Sequence, residues 1–272
     1  MLILIKGAGD IATGIAVRLK NAGMQVVMTE IAIPTTVRRS VAFSRAVYEG
    51  SAVVENITAK LVLDFAQIPA VLQQDEIPVL IDPRCEVLKS IHFDAVVDSI
   101  LAKKNLSTDP TQAPVVIGIG PGFSVPQDCH CVIETQRGHD LGRCIYQGCA
   151  AKNTGIPGDL EIKFENVSVF LSPCQSSWFA PCDGIFHPIL AIGDAVKAGQ
   201  TVALVDDQPV TAQIDGIVRG LLQDNVPVKA GMKSGDIDPR GCYEHCFTVS
   251  DKARAVGGGV LEAILHLGLQ NR

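Results

Sequence analysis

The chain has 272 residues, of which 47% are hydrophobic, 19% charged and 5% aromatic, and its net charge is −6. That length suits two domains of roughly 100–200 residues each, and so apolar a composition argues for buried cores and against long disorder. No basic stripe offers a footprint for nucleic acid, and the few aromatic residues make no stacking platform, so a nucleic-acid partner is excluded.

The opening Met1-Leu2-Ile3-Leu4-Ile5-Lys6-Gly7 is apolar but too short for an export signal or a membrane span. No later run approaches membrane length, so the sequence predicts a cytoplasmic protein with no membrane partner. The nine cysteines then read as reduced thiols and not as a disulfide framework. Leu2–Lys6 reads as a strand, residues 11–22 as a helix, 25–29 as a strand and 38–48 as helical. Further strands are expected at 78–81, 95–97, 115–119 and 131–134. Most are continuous apolar runs, which suits a parallel sheet covered on both faces. Strands alternating with helices predict an α/β, Rossmann-like nucleotide-binding domain over residues 1–158, closed by the turn-rich segment 152–158.

A repeat organises the rest. Asp183-Gly184-Ile185 returns as Asp215-Gly216-Ile217, and Val196-Lys197-Ala198-Gly199 returns as Val228-Lys229-Ala230-Gly231, both 32 residues on. Each copy reads as Asp-Gly, a short strand, a polar turn and a corner, the pattern of a small barrel made of two interlocked halves. It resembles the biotinyl/lipoyl carrier fold, which predicts a barrel-sandwich hybrid domain over residues 159–248. In that family the hairpin joining the halves carries the lysine that takes the cofactor. Here the hairpin is Val205-Asp206-Asp207-Gln208-Pro209-Val210, so no covalent attachment is expected. Residues 249–272, with Gly257-Gly258-Gly259, read as a final helix packing on the first domain.

Gly7-Ala8-Gly9-Asp10-Ile11-Ala12 has the form Gly-x-Gly-x-x-Ala between a strand and a helix, where free N–H groups would face a phosphate. Asp10 brings a negative charge to that point and equally suits a helix cap. Glu30, ending the next strand, stands where an acid would accept from a ribose hydroxyl. A second turn holds Gly120 and Gly122 after another strand, and parallel strands would open both turns at one sheet edge. Arg38 and Arg39 follow the second strand, and Arg137, His139 and Arg143 lie in the densest polar run. The arginines suit an anionic ligand and His139 a proton shuttle. Each pattern also serves a plain turn or a charged surface loop.

Cys129-His130-Cys131 and the run Cys242 to Cys246 lack the Cys-x-x-Cys spacing of zinc knuckles, and no metal is expected. Cys85 and Cys149 are lone thiols with nothing in their flanks to mark an activated thiolate. Asp82-Pro83-Arg84 returns as Asp238-Pro239-Arg240, most simply as a turn. No Ser/His/Asp order, Walker lysine or paired carboxylates stand out.

Several motifs in order resemble one family over nearly the whole chain: Ile5 to Gly14, Pro34 to Ser40 with the following Val41 to Tyr48, Glu134 to Arg143, residues 153–158, the repeat, and Val249 to Ala253. The family is that of the selenium-dependent molybdenum hydroxylase system proteins, the YqeB type. The resemblance implies a maturation factor whose partner is a selenium-dependent molybdenum hydroxylase. Its ligand would be a small nucleotide such as NAD, or molybdopterin, held at Gly7–Ile11, Glu30, Arg38, Arg39, Gly120, Gly122, Arg137, His139 and Arg143. A homo-oligomer stays open. So do a free-standing NAD-dependent oxidoreductase, which explains the glycine turn but not the lysine-free hairpin, and a non-catalytic scaffold module.

Overall fold

The structure, a computed structural model, describes residues 1–152, 160–164, 167–171 and 176–270. The expected boundary at 152–158 falls almost wholly outside these residues. Two compact units result: residues 1–34, 42–152 and 249–270 form one, and 35–41 with the described residues from 160 to 248 form the other.

The first unit holds strands β1 (Leu2–Lys6), β2 (Gln25–Glu30), β3 (Ser51–Val54), β4 (Ile57–Val62), β5 (Ile77–Ile81), β6 (Ala95–Asp98), β7 (Val115–Ile119), β8 (Ser124–Val125), β9 (Cys131–Ile133), β10 (Cys144–Ile145) and β11 (Gly148–Cys149). Nine of them form one sheet in the order β10-β9-β7-β6-β1-β2-β5-β4-β3, and β8 pairs with β11 apart from it. Seven run parallel, while β3 returns antiparallel to β4 and β10 antiparallel to β9. The expected Rossmann-like, all-parallel sheet is therefore corrected to a mixed one. The physical cause at one edge is the two-residue turn Glu55-Asn56, whose φ angles of 48° and 68° fold β3 back on β4. Helical crossovers are also sparser than expected. Between β6 and β7 the described helix is one 3₁₀ turn, Pro110–Gln112. The helix expected over 38–48 is two 3₁₀ turns, Arg39–Val41 and Phe43–Arg45, and then the short α2 (Ala46–Glu49).

One sheet face packs Leu4, Val27, Leu80, Phe93, Val96 and Val116 with the short α3 (Ile68–Gln73). Burying each such side chain fully contributes about 1.5–3 kcal/mol. Two longer helices, α1 (Asp10–Asn21) and α4 (Asp251–Gln270), lie against each other. They meet at glycines: a Cβ on Gly14 would stand 2.5 Å from Ala253 Cβ, and one on Gly257 3.0 Å from the Gly14 carbonyl.

The second unit holds a hairpin, β12 (Leu160–Phe164) with β13 (Val167–Leu171), and then β14 (Ser177–Phe179), β15 (Gly184–Pro188), β16 (Ala195–Val196), β17 (Thr201–Val205), β18 (Gln208–Thr211), β19 (Gly216–Leu221), β20 (Val226–Val228) and β21 (Lys233–Asp238). Two four-stranded sheets, β14-β21-β19-β16 and β18-β17-β15-β20, enclose Trp178, Phe186, Val202, Val205, Val218, Leu221 and Ile237. The repeat shows itself in the pairing. β15 of the first copy pairs with β20 of the second, and β19 of the second pairs with β16 of the first. Asp183 accepts from the Ala230 N–H at 2.8 Å, and Asp215 from the Ala198 N–H at 2.9 Å. In the lysine-free hairpin, Asp206 accepts from the Ile185 N–H at 3.0 Å, so this tip is fastened to β15.

Candidate functional site

In the mixed sheet the chain leaves β1 for β2 on one side and later returns to place β6 on the other. The reversal opens a crevice at the carboxyl ends of β1 and β6, where ligands bind in such sheets. The glycine turn sits there. Gly7, at φ 90°, lies so close to β6 that a Cβ would stand 2.9 Å from the Ser99 carbonyl. Its N–H donates to Thr29 O, and the Thr13 hydroxyl ties the turn down by donating to Ala8 O and accepting from the Phe43 N–H. Gly9 is an extended N-cap with no side chain, and the N–H groups of Gly9, Ile11 and Ala12 find no acceptor among the described residues. Such orphan donors at a helix start favour an anion.

Glu30 reaches this turn, but its two oxygens accept from the Ala8 N–H at 2.9 Å and the Ile31 N–H at 2.8 Å. Burial pushes its carboxyl above the usual range, against those two bonds. Gly120 and Gly122 also need their left-handed φ of 77° and 110°. What approaches them is protein: Thr135 Oγ1 at 2.6 Å and the Lys104 nitrogen at 2.6 Å from their would-be Cβ atoms. Arg137 forms a two-pronged pair with Asp251 at 2.8 and 3.3 Å, Arg143 pairs with Asp140 at 2.7 Å, and His139 is exposed. The loop they share is held by buried Glu134, which accepts from the N–H groups of Thr135, Gln136 and Ala151, each at 2.7 Å. Lys252, at the start of α4, faces Arg137, Asp10, Glu134 and Asp251, and burial lowers its pKa. Arg38 and Arg39 belong to the other unit. There Arg38 donates to the carbonyls of His245 and Thr248, and Arg39 to that of Leu221. A sequence shows an arginine's charge but not that main-chain oxygens will claim it.

The reading of single motifs missed the polar cluster beneath the turn. Lys6, only 1% exposed, donates to Thr108 Oγ1 at 2.6 Å and Gln112 Oε1 at 2.7 Å. Thr108 passes the chain on to Asp98 Oδ2 at 2.6 Å. Burial lowers the Lys6 pKa against the pull of Cys85 and Asp98. Cys85 stands in the Asp82 turn at φ 53°, unusual for a residue with a side chain, and its sulfur lies 3.6 Å from Thr29 Oγ1. Burial raises its thiol pKa despite Thr29 and Lys6. Ser99 is buried and its hydroxyl has no partner among the described residues. The available signal was Lys6 itself, a lysine closing an apolar strand immediately before the glycine turn. Among the described residues no group of three His, Cys, Asp or Glu side chains is placed to hold a metal.

No family model matches the chain. Over 266 residues it is 46% identical to the Escherichia coli (strain K12) protein named "Uncharacterized protein YqeB". The chain is similar to YqeB. The match covers 98% of this chain and 48% of that protein, so the chain spans about half the length of the curated relative it matches. This supports the YqeB resemblance, while the relative's name carries no activity. Among solved structures, the product-bound ectoine utilization protein EutE (DoeB) of Ruegeria pomeroyi is 11% identical with a TM-score of 0.27. An aspartoacylase family protein of Mesorhizobium loti is 10% identical with a TM-score of 0.28, and a succinylglutamate desuccinylase of a Silicibacter species 12% identical with 0.23. Each alignment covers 87% of this chain and 84% of the other.

These findings correct the expectation of a maturation factor for selenium-dependent molybdenum hydroxylases. The solved structures are described as an ectoine utilization protein, an aspartoacylase family protein and a succinylglutamate desuccinylase, and not as selenium, molybdenum, nicotinamide or carrier proteins. The nicotinamide oxidoreductase and the scaffold module gain no support either, and the Rossmann-plus-carrier arrangement finds no counterpart among them. At TM-scores below 0.3 the likenesses transfer no activity to this chain.

Proposed function

We propose that the mixed-sheet unit binds a small anionic molecule at the carboxyl ends of β1 and β6, through a phosphate or carboxylate group. The orphan N–H groups of Gly9, Ile11 and Ala12 would take the anion, and the Ser99 hydroxyl would donate beside them. The observation that carries the reading is the Ser99 hydroxyl, buried without a partner at the point where strand order reverses. A buried unpaired polar group costs about 1–3 kcal/mol, which a bound acceptor would recover. Titration calorimetry of the full chain with inorganic phosphate, ATP and NAD tests it. Saturable binding to at least one, weakened about fivefold or more by Ser99→Ala, is expected, since one hydrogen bond contributes about 1 kcal/mol. Absence of binding to all three, or binding that Ser99→Ala leaves unchanged, would overturn the reading.

A further inference from the structure

The Asp-Pro-Arg turn that the sequence repeats has a different use in each copy. Asp82 accepts from the main-chain N–H groups of Glu86 and Val87. Asp238, in the second unit, gathers basic side chains instead. It ends β21 at 3% exposure, and Arg240 takes both of its oxygens. The Arg240 N–H and Nε donate to Oδ1 at 3.1 and 2.8 Å, and Nη2 donates to Oδ2 at 2.6 Å. Against the burial that would raise it, these bonds hold the Asp238 carboxyl below its ordinary range. Two further basic groups face the same Oδ2 from beyond hydrogen-bond reach, Arg219 Nε at 3.9 Å and His245 Nδ1 at 3.7 Å. Both nitrogens are buried and have no hydrogen-bond partner among the described residues.

Arg219 is placed there by a break in the strand register. Val218 pairs with Ile237 and Gly220 with Asp236, so Arg219 is an extra residue with no partner across the ladder. A bulge of this kind re-aims a side chain, and such bulges are over-represented beside active sites. Gly220 then keeps the strand flush with residues 35–41, since a Cβ there would stand 2.7 Å from Val37 Cγ1. His245 comes from the 3₁₀ turn Tyr243–Cys246, which the Cys246 thiol holds to β19 by donating to Val218 O at 3.6 Å. The Arg219 side chain is only 13% exposed, yet its guanidinium hydrogen-bonds to nothing among the described residues. Its terminal nitrogens, unlike Nε, are not sealed from solvent, and the His245 side chain beside them is 42% exposed.

We propose that Arg219 and His245 form a second ligand site, within the second unit, for a small oxyanion carrying a carboxylate or phosphate group. A guanidinium taken out of water without an acceptor is costly, and its planar fork matches two oxygens of either group. The terminal Arg219 nitrogens donate to two oxygens of the anion, and the His245 ring borders it. Asp238, its charge matched by Arg240, sits between the two bases and sets their spacing. The site shares no residue with the glycine-turn edge, so it is independent of the reading proposed for the first unit.

The test is heteronuclear NMR of the isotope-labelled full chain, following the Arg219 Nε–H signal and the His245 ring C–H signals, assigned through the backbone. Inorganic phosphate is titrated in one series and oxalate in another, each against sodium chloride at matched ionic strength. Both residues should shift together and saturate with at least one of the two anions, and stay in place in chloride. Saturation by one anion alone names the group that the site takes. Arg219→Lys keeps the charge and loses the fork. It should weaken the binding read at His245 about tenfold or more, as the loss of one charge-assisted hydrogen bond predicts. The wild-type series stands whether or not that variant folds. Signals that stay in place with both anions, that shift equally in chloride, or that follow the same titration curve in Arg219→Lys would overturn the proposal. Phosphate bound at Gly9 and Ser99 would move the signals of those residues, so the two readings stand or fall separately.

Discussion

Thr108 stands between two buried charges, taking a hydrogen bond from Lys6 and giving one to Asp98. Thr108→Val keeps the shape and strips both bonds, leaving an ammonium and a carboxylate each short of a partner. A loss of about 1–3 kcal/mol is expected in urea unfolding. Glu30 supplies a pH dependence whose sign follows from its raised pKa. The folded chain holds this proton more tightly than the unfolded one, so the group's contribution is fully present below its unfolded value of 4.5 and is lost as pH rises through the folded value. Wild-type stability relative to Glu30→Gln should therefore fall as pH rises above 4.5. A difference that stays flat or rises would contradict the burial of that carboxylate. At this scale the sequence showed which residues could matter but not what would occupy them. Gly7 and Glu30 do meet, because a fixed turn and a fixed strand length bring them together. Arg38, Arg39, Arg137 and Arg143 looked like free anion ligands, yet each is bound by carbonyls or carboxylates contributed by residues near or far in the chain.

The triple glycine of α4 divides by position into three different demands. Gly257 meets α1, Gly259 meets the Gly142 carbonyl, and Gly258 faces open space. Gly258→Ala should therefore stabilise the chain by about 0.5–1 kcal/mol, since it only removes backbone freedom from the unfolded state. Gly259→Ala should destabilise it by about 1–3 kcal/mol, because a backbone carbonyl must move. Thermal melts of the two variants, shifted in opposite directions, check the assignment. Elements built from apolar runs, such as β1, β5 and β7, were legible within a residue or so. The β3–β4 hairpin was not, because its turn is Glu55-Asn56 and not the Asn-Gly or Asp-Gly that usually announces a left-handed pair. The edge strand β10 has two residues, too few for any periodicity to show.

On the scale of the whole molecule, the two units have separate apolar cores and separate probes. The single tryptophan, Trp178, reports the second unit, whereas the long helices α1 and α4 belong to the first. Thr108→Val should thus shift the unfolding midpoint followed by helical circular dichroism and leave the midpoint followed by Trp178 fluorescence in place. Equal shifts in both would mean that the units unfold as one. Among the described residues no helix is long and apolar enough to cross a membrane. The sheet's mixed edges escaped the sequence because continuous apolar runs dictate burial on both faces, not strand direction.

The exchange between Asp183 and Asp215 says something about how the second unit could have arisen. A single copy of the 32-residue repeat has an acid with no corner to hold and a corner with no acid to hold it. Its first strand likewise lacks the second strand it pairs with. Two identical copies remedy both defects at once, whether or not a peptide links them. Each copy of the repeat therefore completes the other's corner and strand pairing, the reciprocal exchange that two subunits related by a two-fold axis make.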